Sequence, residues 1–318
     1  MLQISLIVCT RGRPILLERL LRSLALQDYP EFELIVICDP KETETEHCLM
    51  CHARQAKIGH CGPANLARAR NIGLSMAEGD IAAFIDDDAV PAPDWLTRLA
   101  ACYAAPEITA AGGFVRARNA ATFQNRFVLI DPFGKDHPAA LLPSTLPAGW
   151  FLSLTGTNFS VRVANARSLG GFDENYHYFL EETDFLLRLG EAGGKIAVDP
   201  QAEVQHGYAE SAIRTANGAP KCLHVIARSK AYFCHINRRP ETSLAAINYA
   251  LARFIAIKSC LLLSNFLLAR LNVRAAARLL LELRTGIREG EALAKTGRSL
   301  AVFSSVSPAH RRASYLPK

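Results

Sequence analysis

Three consecutive carboxylates, Asp86-Asp87-Asp88, close the apolar run 81–85, and this junction restricts the fold more tightly than any other stretch. The run reads as a short buried strand. A buried strand that ends in three mutually repelling acids needs a counter-charge at that end. Open α/β sheets place their ligands at the C-terminal ends of strands, and hard divalent cations bind carboxylate oxygens. Taken alone, the same acids also describe an acidic turn, so the surrounding pattern has to decide.

That pattern alternates. Residues 4–10 read as a strand, broken by Arg11-Gly12-Arg13-Pro14. Pro14 suits a first helical turn, and Leu17, Leu20, Leu21 and Leu24 share one helical face. Residues 32–38 form a second strand pattern ending at Asp39-Pro40, and 41–56 are helix-compatible. Asn65 is a candidate cap for a helix over 66–76, and Asp94 for one over 95–104. Residues 109–115, 156–163, 195–198 and 202–205 are extended, the last ending at His206, and a helix falls within 173–190. Residues 117–150, with several prolines, read as a long loop or flap. Strand–helix alternation predicts an α/β fold with a mostly parallel sheet flanked by helices. Beyond about residue 220 the chain is Ala/Leu/Arg-rich with helical spacing and no strand signal. This divides it into a catalytic-type domain, 1–215, and a helical extension, 216–318.

Half of the 318 residues are hydrophobic and 21% charged, enough for a full core. The net charge of +6 suits anionic partners such as nucleoside diphosphates or acidic lipid headgroups. No basic stretch is interleaved with stacking aromatics, which argues against nucleic acid. The chain runs directly into a strand without a leader pattern, and its nine cysteines are scattered, so reduced thiols and a cytoplasmic location are expected. His47, Cys48, Cys51, His52, His60 and Cys61 cluster with zinc-like spacing, or pack along a helix face. The apolar stretch 251–271 is interrupted by Lys258 and flanked by Arg253 and Arg270. Arg274, Arg278, Arg284, Arg288, Arg311 and Arg312 follow. It reads as a solvated helical face, as an amphipathic helix that docks on the domain or lies on the inner face of a membrane, or as a true span.

Four pieces occur in order: Val8-Cys9-Thr10-Arg11; Ile37-Cys38-Asp39; Asn65 to Gly73 with Gly79-Asp80 and Asp86-Asp87-Asp88; and Gly156-Thr157-Asn158 with Gly170-Gly171-Phe172-Asp173 and Glu181-Glu182-Thr183-Asp184. The ordered set, covering about residues 3–208, resembles the family 2 glycosyltransferases of GT-A fold. The resemblance implies a nucleotide-diphosphate-sugar donor, a divalent cation (Mn2+ or Mg2+), inversion at the anomeric carbon, and a hydroxyl acceptor on a glycan, lipid-linked or small molecule. It implies that Asp86 and Asp88, with His206, hold the metal. Thr10, Arg11, Asp39, Arg70, Asp87 and Asn158 would line the nucleotide-sugar side. Pro40 replaces the second acid often found after Asp39, leaving the base open. Arg70 also reads as a partner of the acidic site or a surface charge. Glu182 takes the register of the general base, with Glu181 and Asp184 as fallbacks. Trp150 and Phe151 would lie near the sugars, and a Lys or Arg within 135–167 could clamp phosphate. Two other classes remain: a non-catalytic nucleotide-sugar-binding module, and a haloacid-dehalogenase-type phosphatase using Asp86-Asp87-Asp88-Ala89-Val90.

Overall fold

The structure, a computed structural model, describes residues 1–215 and 217–303. Arg311 and Arg312 lie outside the described residues. Four parallel strands carry the N-terminal half: β1 (Ile4–Cys9), β2 (Phe32–Cys38), β3 (Lys57–His60) and β4 (Ile81–Asp86). Between them run α1 (Pro14–Leu24), α2 (Thr43–His52) and α3 (Leu66–Met76). After β4 come β5 (Ala89–Pro91), α4 (Trp95–Cys102) and β6 (Ile108–Arg116). Residues expected as loop carry short strands: β7 (Phe123–Asn125), β8 (Phe127–Ile130), β9 (Asp136–Ala139) and β10 (Phe151–Ser153). Then follow β11 (Phe159–Arg162), α5 (Val163–Ser168), α6 (Glu181–Glu191) and β12 (Lys195–His206). Three helices close the described chain: α7 (His224–Ile236), α8 (Leu244–Leu267) and α9 (Val273–Ala294).

The main sheet runs β3-β2-β1-β4-β11-β6-β12-β5, with β7 on β6. Strand β11 returns from the flap and inserts antiparallel between β4 and β6, so the sheet is mixed. Because β12 is parallel to β6, it also points the same way as β4. The C-terminal ends of β1, β2, β4 and β12 therefore share one edge. The two expected short strands over 195–205 are one strand with an irregularity between Asp199 and Val204.

Alternation along β1 explains the two layers of core. Ile4, Leu6 and Val8 pack with Leu17, Leu20, Leu21 and Leu24 of α1 and with Trp95 and Leu96 of α4. Ile7 faces the other side, toward Ala67 and Leu74 of α3 and Phe185 and Leu186 of α6. Each of those α1 leucines is at most 1% exposed, worth about 2 kcal/mol apiece in burial. Asn65 caps α3, its Oδ1 accepting from the Arg68 N–H at 3.0 Å. Asp94 does not cap α4; its carboxylate accepts from Arg98 at 2.6 Å instead.

The boundary expected near residue 215 falls in the connection from β12 to α7. Beyond it, Tyr232 and Phe233 of α7 share a core with Tyr176, Leu180 and Leu187. Helices α7 and α9 meet along Gly286 and Gly290, where added Cβ atoms would lie 2.4 Å and 2.2 Å from the His224 and Arg228 carbonyl oxygens. After α9 the chain turns back. Ser299 N–H donates to buried Asp173 at 2.9 Å, and the Ala301 N–H to Gly170 O at 2.9 Å.

Candidate active site

At the common edge of the sheet, Asp86 and Asp88 meet His206 from the end of β12. One potential ligand atom from each lies within 4.8 Å of the others. His206 Nε2 is 3.3 Å from Asp88 Oδ1 and 3.7 Å from Asp86 Oδ2. On its other side His206 Nδ1 is 3.0 Å from Gln124 Oε1, on β7. With that oxygen accepting, Nδ1 carries a proton and Nε2 is turned to the acids, the orientation a metal-binding imidazole needs. Burial would lower the His206 pKa, but Asp88 and Asp86 outweigh it and raise it. Burial likewise pushes Asp88 up, yet the hydrogen bond and charge of His206 and the Ala209 N–H hold it well below the usual carboxylate range. Two carboxylates and one imidazole make a donor set that fits a divalent cation. Among the described residues it is the one group of His, Cys, Asp and Glu with such convergence.

The middle acid has a different task. Asp87 is fully buried and points to β1, accepting from Thr10 Oγ1 at 2.6 Å and from Arg13 Nε at 3.0 Å. Burial pushes its pKa up to about 7, against the pull of Arg13 and Thr10. Thr10 and Asp87, expected to face the nucleotide, thus spend their groups on each other and lock the turn that presents Asp86 and Asp88.

Neighbouring strand ends form a second corner. Arg11 Nη1 pairs with Asp39 Oδ2 at 2.7 Å, and its Nη2 donates to the carbonyls of Cys61 at 2.9 Å and Gly62 at 2.6 Å. Arg11 and Asp39 stay 42% and 14% exposed, so this corner remains open to a ligand.

The acidic segment sits at the start of α6. Phe179 and Leu180, both non-glycine, adopt φ of 73° and 70° immediately before it. Left-handed residues of this kind cost about 1–3 kcal/mol each; here they swing Glu181 and Glu182 toward the sheet edge. Glu181 is buried, accepting from Arg70 Nη1 at 2.9 Å, and its Oε2 has no hydrogen-bond partner within the protein. Burial and then Glu182 push Glu181 up, more than Arg70 pulls it down. Glu182 is half-buried, beside Gly156. Arg70 is 3% exposed, donates its Nη2 to Gly156 O at 3.1 Å, and rests among Phe84, Phe159 and Phe172. Its charge interacts with Glu181, Glu182 and Asp86. Tyr178, its phenol pushed up to about 12 mainly by burial, also feels Glu181 and Asp86. Arg70 and Tyr178 thus both lie within electrostatic reach of the two acidic groups.

Several expected site residues are spent on structural partners. Asn158 is fully buried, donating to the carbonyls of Phe114 and Ala202 and accepting from Trp95 Nε1. It has nothing left for a sugar; it ties β11 to its neighbours. Asp184 is fully buried too, accepting from Arg188 at 2.8 Å and Arg298 at 2.6 Å. Flanked by two guanidiniums, it is no general base. Arg162 and Arg167 donate to backbone carbonyls of residues 74–77, 103 and 108, so neither serves as a phosphate clamp. The zinc-like cluster also fails to converge: Cys48 faces Pro14 O, Cys51 faces His47, and His60 faces Glu46 and Cys38.

Arg19 also approaches, its Nη2 donating to Asp88 O at 2.7 Å, and so does Arg214. Its Nε donates to Ala209 O at 3.0 Å, its Nη1 to the Tyr178 hydroxyl at 3.4 Å, and its guanidinium lies 3.9 Å from the Tyr208 ring centroid. Its charge opposes that of His206. Arg13, Gln124, Tyr178 and Arg214 carry no sequence pattern that marks them; only their nearness in the chain to strand ends or to His206 offers a signal.

A sheet edge bearing an acid–acid–imidazole cluster, with a carboxylate-rich helix start within electrostatic reach of it, matches a GT-A-type glycosyltransferase. The model for glycosyl transferase family 2 matches residues 5–155, and that for glycosyl transferase family group 2 matches residues 81–285. The succinoglycan biosynthesis protein ExoM of Rhizobium meliloti is 32% identical over 225 residues, 66% of this chain and 68% of that one. The O-antigen biosynthesis protein RfbC of Myxococcus xanthus is 29% identical over 234 residues, 69% of this chain; the match spans only 18% of RfbC. Among solved structures, the mannosyltransferase PcManGT of Pyrobaculum calidifontis, in complex with GDP-Man and Mn2+, aligns at TM-score 0.53 and 16% identity. That alignment covers 93% of this chain and 86% of that one. The chain belongs to the family 2 glycosyltransferases, which sets aside the phosphatase reading.

Proposed function

We propose that the protein moves a sugar from a nucleoside-diphosphate donor to a hydroxyl of a glycan or lipid-linked acceptor, with inversion, on the cytoplasmic side. The observation that carries this reading is the convergence of Asp86, Asp88 and His206 at the sheet edge, with Arg70 within electrostatic reach of both Asp86 and Glu182. PcManGT, of like fold, holds GDP-Man and Mn2+, and ExoM and RfbC are named for polysaccharide assembly.

Asp86, Asp88 and His206 would hold Mn2+ or Mg2+, which when bound neutralises the diphosphate as it departs. Arg214 supplies a second positive charge near the same edge. Asp39 and Arg11 take the nucleoside, Asp39 accepting from its N–H or O–H groups. Glu182 accepts the proton of the acceptor hydroxyl as that oxygen attacks. Glu181, raised in pKa and anchored on Arg70, keeps the neighbouring carboxylate in place.

Glu182→Gln tests the assignment. Donor with Mn2+ should still raise the melting temperature by mass action, while transfer falls by about 10²–10⁴-fold. Near-normal turnover would remove Glu182 from the role.

A further inference from the structure

Helix α8 is apolar on all sides, yet little of it is covered. Over its most apolar 18-residue window the mean hydropathy is 1.6, and 17% of that window is buried. A helix apolar all round belongs in a core or in lipid. Its first half is anchored: Ile247 and Leu251 pack with α7, and Phe254 and Ile255 flank them. The second half turns only Leu262 and Asn265 inward. Ile257, Leu261, Leu263, Phe266, Leu267 and Leu268 are 40–73% exposed, and Leu280 and Leu281 of α9 add 42% and 61%. Between the two helices runs an apolar groove of about 330 Å3, lined by Leu262, Leu263, Phe266, Val273 and Leu280 among others. A soluble monomer rarely leaves so large a patch open.

Charge says what covers it. From Thr242 to Leu281 the chain contains no Asp or Glu, but it carries Arg253, Lys258, Arg270, Arg274 and Arg278. Five positive charges in this hairpin account for most of the net charge of +6. Arg253, Arg270, Arg274 and Arg278 are all exposed. Apolar side chains interleaved with arginines, and free of acids, match the interface of an anionic bilayer, where acyl chains lie under negative headgroups. A second copy of this hairpin would instead bring like charges together. A transmembrane course is disfavoured as well. Lys258 sits mid-helix, and the half of α8 before it is packed on α7, so spanning would tear open that core.

We propose that the α8–α9 hairpin lies flat in the headgroup region of an anionic leaflet. Leu261, Leu263, Leu267, Leu268 and Leu281 enter the acyl boundary, and Arg270 and Arg274 contact phosphates. This deepens the reading of a lipid-linked acceptor and rests on it only for the benefit to catalysis; the docking itself is tested without any transfer.

The test is flotation of the full chain with vesicles of phosphatidylglycerol and phosphatidylcholine, against phosphatidylcholine alone, at low and high salt. The protein should float at least about tenfold more with anionic vesicles, and high salt should release it. Arg270→Glu with Arg274→Glu should lower the bound fraction about tenfold or more. Leu267→Ser with Leu281→Ser should lower it at both salt concentrations. Both variants should keep donor-dependent thermal stabilisation, which separates loss of docking from loss of the active site. Equal binding to neutral vesicles, or no binding at low salt, overturns the proposal. So does resistance of the wild type to high salt and alkaline carbonate, the mark of a span. A dimer abolished by Leu267→Ser with Leu281→Ser in the absence of lipid would likewise overturn it, by assigning the face to a second copy.

Discussion

At the scale of single residues, the three adjacent aspartates have three environments. Asp86 is part-exposed, Asp87 is buried on Thr10 and Arg13, and Asp88 is buried on His206 and the Ala209 N–H. Asp86 and Asp88 hold the His206 pKa above its ordinary value, which favours a proton on the ring where no metal competes for Nε2. A metal must displace that proton. Because the acids raise the pKa of His206, Mn2+ affinity should climb as pH rises through that raised value and level off above it. Calorimetry in two buffers of different ionisation enthalpy should report proton release on binding. Gln124→Leu, which removes the acceptor from His206 Nδ1, should weaken Mn2+ by about tenfold. Unchanged affinity would show that Gln124 does not orient the ring. The acids and the histidine were legible because strand ends punctuate the sequence. The pairing of Arg70 with the acidic site was legible too, whereas the buried roles of Thr10, Asn158 and Asp184 were not. A motif records which residue types occur near a site, but the direction of a side chain follows from partners such as Trp95 and Arg298, far away in the chain.

At the scale of elements, local pattern served where one face meets one core. The leucines of α1 and the strands β1, β2 and β4 follow from period and apolar content. The strands of the flap were hidden because each is only three or four residues long, too short for a period to show, and two of them are rich in polar residues or proline. Such strands exist through pairing with β6 or with one another, a long-range cause absent from any short window. The α7–α9 contact gives a measurable competition. Gly290→Ala should gain about 1 kcal/mol of helix propensity. Its Cβ would meet the Arg228 carbonyl at 2.2 Å, a backbone clash that overpacking costs put at about 1–3 kcal/mol or more. Packing should win, with net destabilisation of about 1–2 kcal/mol in urea titrations. A more stable variant would mean that the two helices separate easily.

At the scale of the whole molecule, the residues after α9 reach back to the helix that bears Glu182. Arg298 donates to Asp184 at 2.6 Å and Asn237 Oδ1 at 2.6 Å, and lies 3.5 Å from Asp173. Arg298→Ala should cost about 3 kcal/mol, the low end for breaking a buried pair, because Arg188 stays on Asp184. The sign with pH follows from the direction of the shift. Burial pushes Asp184 up, but Arg188 and Arg298 outweigh it and hold its folded pKa below the ordinary value. Its stabilisation is therefore present above about pH 4 and is lost as the solution is acidified through the folded value. The difference between wild type and variant should shrink in the same direction; a gap that stays constant in acid would point to lost packing rather than lost charge. The same stitch has a temporal consequence. Ribosomes deliver about 5–20 residues per second, so Asp173 and Asp184 leave the exit tunnel on the order of ten seconds before Arg298 does. The helix that bears Glu182 thus emerges well before the arginine that pins it, so its final setting waits on the last stretch of the described chain.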